Sequence, residues 1–142
     1  MFMHIIEEIN KLCKGTFIEN LGIEFTHAGE GFVEAKMIID ETKLQPFGFL
    51  HGGASLALAE TVASGGSLLL IDRNKYAAFG LQVSGNHIAT MGKGTLFARA
   101  EIVHKGRSTH VWDVKMESDE KTLISVVRVT MSIIAKKATD RS

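Results

Sequence analysis

In the apolar stretch 53–71 a single side chain can ionise, Glu60. A carboxylate in such surroundings is strongly disfavoured unless it is paired or used. Two readings follow from that alone. Glu60 pairs with a basic group or faces water on an exposed stripe, or it does chemistry. The residues just before it bear on the choice. His51-Gly52-Gly53 stand where a helix through this stretch would begin. A helix start exposes unpaired backbone N–H groups and the positive end of the dipole. Glycine there lets another molecule come close to the backbone, and such an N–H cluster suits an oxyanion. Ser64 follows Glu60 by four residues and so shares its helical face. A carboxylate, a hydroxyl able to hold water and an anion-binding helix start are the parts of a hydrolase site without a serine nucleophile. His51 has an ordinary reading as a cap, and Gln45 as a loop amide.

These residues need a helix at 53–71 and something to enclose it. The stretch is apolar nearly all round, which requires burial, and Glu60 near its centre makes it a poor membrane span. Leu56 and Val62 could line an acyl pocket or be core. Gly65-Gly66 marks either a close packing contact or a helix break. Upstream, a helical face of Ile5, Ile6, Ile9, Leu12 and Cys13 predicts a helix over 3–14, with Gly15 as its stop. Period-two patterns predict strands at 23–28 and 32–40, the second with Val33, Ala35, Met37 and Ile39 on one face. Residues 41–50 read as a loop carrying Gln45-Pro46-Phe47-Gly48. Further strands are predicted at 77–90, 95–105, 109–117 and 122–135. In the third of these, His110, Trp112, Val114 and Met116 share the covered face. Short turns among the last four imply antiparallel pairing. A strongly curved antiparallel sheet around a central helix is the α+β arrangement that satisfies all of this.

Composition narrows the function. The chain has 142 residues, enough for one domain over 1–142, with an N-terminal helical segment at 1–15 and a frayed tail at 136–142. Sixteen basic and sixteen acidic residues give zero net charge, so nothing draws it to nucleic acid or an anionic membrane. One cysteine, Cys13, excludes an internal disulfide and a multi-thiolate zinc site, and the six histidines form no HxxxH or HxH pair, so no metal is expected. The N-terminus lacks the features of a signal peptide, and with a lone thiol this predicts a cytoplasmic location.

The segment Gln45-Pro46-Phe47-Gly48-Phe49-Leu50-His51-Gly52-Gly53-Ala54-Ser55, followed by Leu58-Ala59-Glu60, resembles the hotdog-fold acyl-CoA thioesterases. The subgroup it is most similar to holds the phenylacetate-degradation and 1,4-dihydroxy-2-naphthoyl-CoA thioesterases and the Arthrobacter-type 4-hydroxybenzoyl-CoA enzyme. Asn86-His87 and His104-x-Gly106 before Val111-Trp112 extend the likeness over most of residues 17–135. The resemblance implies a hotdog fold and a homodimer, often paired into a homotetramer. It places each active site at the dimer interface, with Gln45, His51 and Gly52 from one chain and Glu60 and Ser64 from the other. Glu60 would be nucleophile or general base. The Gly52 N–H, assisted by His51, would polarise the thioester carbonyl; Gln45 would position it, and Ser64 would hold water. Coenzyme A would be met at Gly80, at His87, Ile88, Ala89 and Thr90, and at His104, Lys105, Gly106, Arg107, Ser108 and Thr109. The family places an arginine where this chain has Ser108; here the basic residues are Arg107 and Lys105. No cofactor is implied, coenzyme A being part of the substrate. The expected activity is hydrolysis of an aromatic or medium-length acyl-CoA. A hotdog hydratase or dehydratase, or a non-catalytic acyl-CoA-binding module, would use the same scaffold.

Overall fold

The structure is a computed structural model that describes residues 2–137. It begins with α1 (Phe2–Leu12), whose Ile6 and Ile9 are buried. The helix ends two residues before the predicted limit, and Gly15 turns the chain with φ +76°. Asn10 fastens α1 to the sheet: its side chain both donates to the Phe25 carbonyl and accepts from the Phe25 N–H, each at 2.9 Å. A short helix, α2 (Phe17–Asn20), follows, capped by the Thr16 hydroxyl. It is too brief to leave a periodicity in the sequence.

Strands β1 (Ile23–Gly29) and β2 (Phe32–Ile39) form a hairpin turned by Gly31 at φ +78°. Val33, Ala35, Met37 and Ile39 are buried while Ile38 is exposed, as alternation requires. A 3-10 turn at Glu41–Lys43 opens the loop, which runs to α3 (Gly52–Leu70). Then come β3 (Tyr76–His87), β4 (Gly94–Lys105), β5 (Thr109–Ser118) and β6 (Leu123–Ala135). All neighbours in the six-stranded sheet are antiparallel, in the order β1-β2-β4-β5-β6-β3. This is the expected α+β hotdog arrangement, a curved sheet around one long helix.

Two expectations need correction. The strand predicted over 77–90 ends at His87, and residues 88–93 are not a hairpin turn. They carry the chain across the sheet, because β3 pairs with β6 at one edge while β4 pairs with β2 and β5. The α3 helix is also only half enclosed. Ser55, Leu58, Ala59, Val62, Ala63, Gly65, Gly66 and Ser67 are buried, so Val62 is core. Gly53 and Glu60 on its other side are exposed, and Ala57, Thr61 and Ser64 are half-buried. The helix runs unbroken through Gly65-Gly66 because core rings press on it there. A Cβ on Gly65 would lie 2.3 Å from the Phe25 ring, and one on Gly66 would lie 2.5 Å from the Trp112 ring. α3 is also the one helix among the described residues long and apolar enough to cross a membrane, and here one face of it packs on the sheet. Of the tail expected to fray, residues 138–142 lie outside the described residues, while the Lys136 N–H is tied to the Lys75 carbonyl at 2.8 Å.

Candidate active site

The start of α3 is built by its own cap. His51 has extended backbone, and its Nδ1 accepts from the Gly53 N–H at 2.8 Å. An accepting Nδ1 puts the proton of a neutral ring on Nε2, which is then a donor. The His51 carbonyl accepts from the N–H groups of Ala54 and Ser55 at 3.0 and 3.4 Å. That leaves the Gly52 N–H, which has no acceptor among the described residues. A Cβ at this position would lie 2.6 Å from His87 Nε2, so the His87 ring lies directly against the glycine. Ser125 Oγ holds that ring through Nδ1 at 2.7 Å.

Loop 41–50 brings Gln45 to the same place. Its N–H donates to the Phe49 carbonyl at 2.8 Å, its own carbonyl accepts from Gly48 at 2.9 Å, and its side-chain oxygen accepts from the Phe47 N–H. The amide oxygen is thus engaged, and its NH₂ has no acceptor among the described residues. Leu50 N–H donates to the Met91 carbonyl at 2.7 Å, which joins the loop to the crossing segment 88–93. The result is a pocket of about 160 Å³ lined by Gln45, Gly52, Ser55, His87, Thr90 and Ser125, among others.

Glu60 occupies a different place. It has no hydrogen bond or ion pair among the described residues, so no cation neutralises it. Its carboxylate lies on Gly80 of β3, where a Cβ would meet Oε2 at 2.7 Å. The β3–β6 register slips between Gly80 and Gln82, so the strand bulges at this contact. Gly80 was expected to touch coenzyme A; in the single chain it makes room for Glu60. Ser64 shares the open helix face, and its hydroxyl contacts Met131 Sδ at 3.7 Å.

The structure therefore sorts the expected residues into two groups. Gln45, His51, Gly52, His87, Ala89 and Thr90 gather at the start of α3, with exposed Ile88 beside them. Glu60, Ser64 and Gly80 lie further along the helix. Residues 104–109, holding His104, Lys105, Gly106, Arg107, Ser108 and Thr109, form the β4–β5 turn at that second end, since Thr109 pairs with Ser132 while His87 pairs with Ser125. At about 3.3 Å per residue along β6, those partners are ~23 Å apart. Along α3, Gly52 and Glu60 are ~12 Å apart at about 1.5 Å per residue.

The profile of the thioesterase superfamily matches residues 47–125, more than half of the chain. The chain belongs to the thioesterase superfamily. It is 36% identical to the 1,4-dihydroxy-2-naphthoyl-CoA hydrolase of Listeria monocytogenes, over 84% of this chain and 96% of that one. A thioesterase from Haemophilus influenzae superposes with a TM-score of 0.87 at 38% identity, over 92% and 90% of the two chains. A thioesterase from Pseudomonas aeruginosa superposes with a TM-score of 0.90 at 36% identity, over 92% and 94%. This thioesterase is accordingly a thioester hydrolase with a hotdog fold.

Some of its polar residues carry no mark in the sequence. Ser125 holds the His87 ring from β6. Ser67 Oγ meets His110 Nδ1 at 2.8 Å and accepts from Trp112 Nε1 at 2.9 Å, a buried network between α3 and β5. Burial first, then the charges of Lys105 and His104, hold the His110 imidazole below its ordinary value. Lys43 is buried, although nothing in loop 41–50 sets it apart from a surface lysine. Only the alternation of β5 pointed to any of these, by placing His110 on the covered face.

Proposed function

We propose that the thioesterase hydrolyses an aromatic or medium-length acyl-CoA to the free acid and coenzyme A, with Glu60 as nucleophile or general base. The supporting observation is the unpartnered Gly52 N–H at the rim of a pocket that also holds Gln45 and His87. A thioester carbonyl seated there would have its oxygen on the Gly52 N–H, with His51 Nε2 and the Gln45 amide as further donors. Each fixed donor to a developing oxyanion is worth about 3–4 kcal/mol. In one route Glu60 takes a proton from water as its oxygen attacks the carbonyl carbon, the C–S bond breaks and that proton passes to the leaving thiolate. In the other the Glu60 carboxylate attacks, the thiolate leaves, and water then hydrolyses the mixed anhydride, restoring Glu60 and supplying the proton the thiolate takes up.

Glu60 of the same chain cannot reach this carbonyl, being ~12 Å away along α3. A second copy resolves the distance. β3 is a long edge strand, and it exposes Tyr76, Phe79 and Leu81. An open edge of this length is a template for another strand. Two copies of β3 paired antiparallel about residues 83 and 84 would set Gly80 of one against His87 of the other. Glu60 and Ser64 would then face Gly52 across the dimer, and turn 104–109 would approach the far end of coenzyme A. A homodimer, with or without further pairing to a homotetramer, is part of this reading. So is a cytoplasmic location, where acyl-CoA and a reduced Cys13 coexist.

Glu60→Gln tests the assignment. We expect kcat for acyl-CoA hydrolysis, read as free thiol released, to fall by about 10²–10⁴-fold with the fold intact. Turnover within tenfold of the parent on every accepted substrate removes Glu60 from the mechanism. Binding of acyl-CoA by the parent with no thiol release would favour a binding module instead.

A further inference from the structure

The sheet has two edges, β3 on one side and β1 on the other. An unpaired edge presents a row of N–H and C=O groups to any strand that approaches it. The two edges are finished differently. At Phe25 the β1 backbone turns its N–H and C=O away from β2, and both meet one side chain, Asn10 of α1, at 2.9 Å. A primary amide carries the same donor and acceptor as a peptide group. Opposed residues of antiparallel strands exchange such a pair of bonds. Asn10 therefore sits on the β1 edge as one residue of a further strand would. No amide side chain among the described residues caps β3 in this way.

The placement works against the helix that provides it. Asparagine is a weak helix former, and Asn10 lies inside α1, two residues before its end at Leu12. Apolar burial already docks α1 without the amide, since Ile6 and Ile9 share one core with Ile23 and Phe25. The β1 strand also slips register between Phe25 and His27. A bulge of this kind bends an edge away from pairing, and here it falls beside the residue that Asn10 holds.

We propose that Asn10 closes the β1 edge against a second copy of this chain. The inference goes beyond the catalytic reading and concerns how far the sheet can extend. Copies joined through β3 still present β1 at both ends. Were that edge open, further copies would add there, β1 on β1, and the assembly would run on as an open filament. With the amide in place, edge pairing stops after β3.

Asn10→Ala tests this. Alanine removes both bonds and is the better helix former, so far-UV circular dichroism should match the parent. In sedimentation velocity the parent should keep one size at every concentration. The weight-average mass of Asn10→Ala should rise with concentration, by about twofold or more. The His27 side chain is exposed on the same strand, so His27→Lys added to that variant charges the opened edge and should restore the parent's size. Amide exchange gives a reading on dilute chains that do not associate. The Phe25 N–H should be protected in the parent and exchange about 5–10-fold faster in Asn10→Ala. A variant of unchanged size, growth that His27→Lys leaves in place, or an unprotected Phe25 N–H in the parent overturns the proposal. The steps of growth separate it from the dimer reading. Multiples of a parent dimer support both. A monomeric parent that only doubles in Asn10→Ala sinks the β3 pairing and leaves the closed β1 edge standing.

Discussion

A glycine decides where the Glu60 carboxylate of this thioesterase points. Gly80 offers Glu60 a bare stretch of backbone at a strand bulge, and the carboxylate rests where a side chain would begin. A methyl group there would meet the far end of a flexible side chain, which can swing aside at little energetic cost. It cannot swing aside and keep its aim. Displacing a reacting group by about 1 Å costs on the order of 10²-fold in rate. Gly80→Ala should therefore lower kcat by about 10–100-fold while the melting temperature and KM stay near those of the parent. Steady-state kinetics beside a thermal melt check this. A large loss of stability would mean that the glycine serves the strand and not the acid.

Between elements, the same helix is held by polar contacts that a glutamate-centred reading overlooks. Ser67 on α3 joins His110 and Trp112 on β5 inside the core. Trp112 donates to the Ser67 oxygen, and the serine hydroxyl is free to donate to Nδ1 of a neutral His110 ring. The His110 imidazole is held below its ordinary value, chiefly by burial and then by Lys105 and His104. The unfolded chain binds a proton at this residue below pH ~6.5 and the folded chain does not, so this contribution is complete above that pH. It is lost as the pH falls from there through the depressed folded value. Denaturation midpoints at fixed protein concentration should drop between pH 7.5 and 5, and His110→Gln should flatten the slope. Parallel slopes for the two proteins would refute the role. This network also shows what the sequence could convey. Alternation placed His110, Trp112, Val114 and Met116 on one face because a two-residue period is a local property. It could not show that Ser67 waits opposite, that β3 crosses to pair with β6, or that Gly65-Gly66 receives the Phe25 and Trp112 rings. Those depend on which elements meet in space. Glu60 and the Gly52-Gly53 pair stood out as candidates because glycines and a lone carboxylate in an apolar run are costly locally, whereas Gln45 and His87 were marked only by the family resemblance. Lys43 and Ser125 carried no mark, since their meaning comes entirely from what surrounds them.

For the whole molecule, the decisive quantity is the separation of the two half-sites. A helix rising about 1.5 Å per residue keeps Gly52 and Glu60 of one chain ~12 Å apart whatever their side chains do. If catalysis needs both, each active site draws on two chains, and two defective chains can repair one another. A Glu60→Gln chain lacks the acid but keeps the Gly52 donor, Gln45 and His51. A chain carrying Gln45→Ala and His51→Ala keeps the acid. Paired, they form one site with every defect and one with none. Subunits exchanged at equal amounts become half heterodimers, so mixing two nearly inactive proteins should restore about a quarter of the parent activity. Thiol release measured before and after exchange reads this directly, with size-exclusion chromatography to confirm the dimer. The recovery should scale with the heterodimer fraction and vanish if exchange is blocked by crosslinking each variant beforehand. A site contained within one chain predicts no recovery at any mixing ratio. That result would also remove the reason for β3 to carry Tyr76, Phe79 and Leu81 on an open edge.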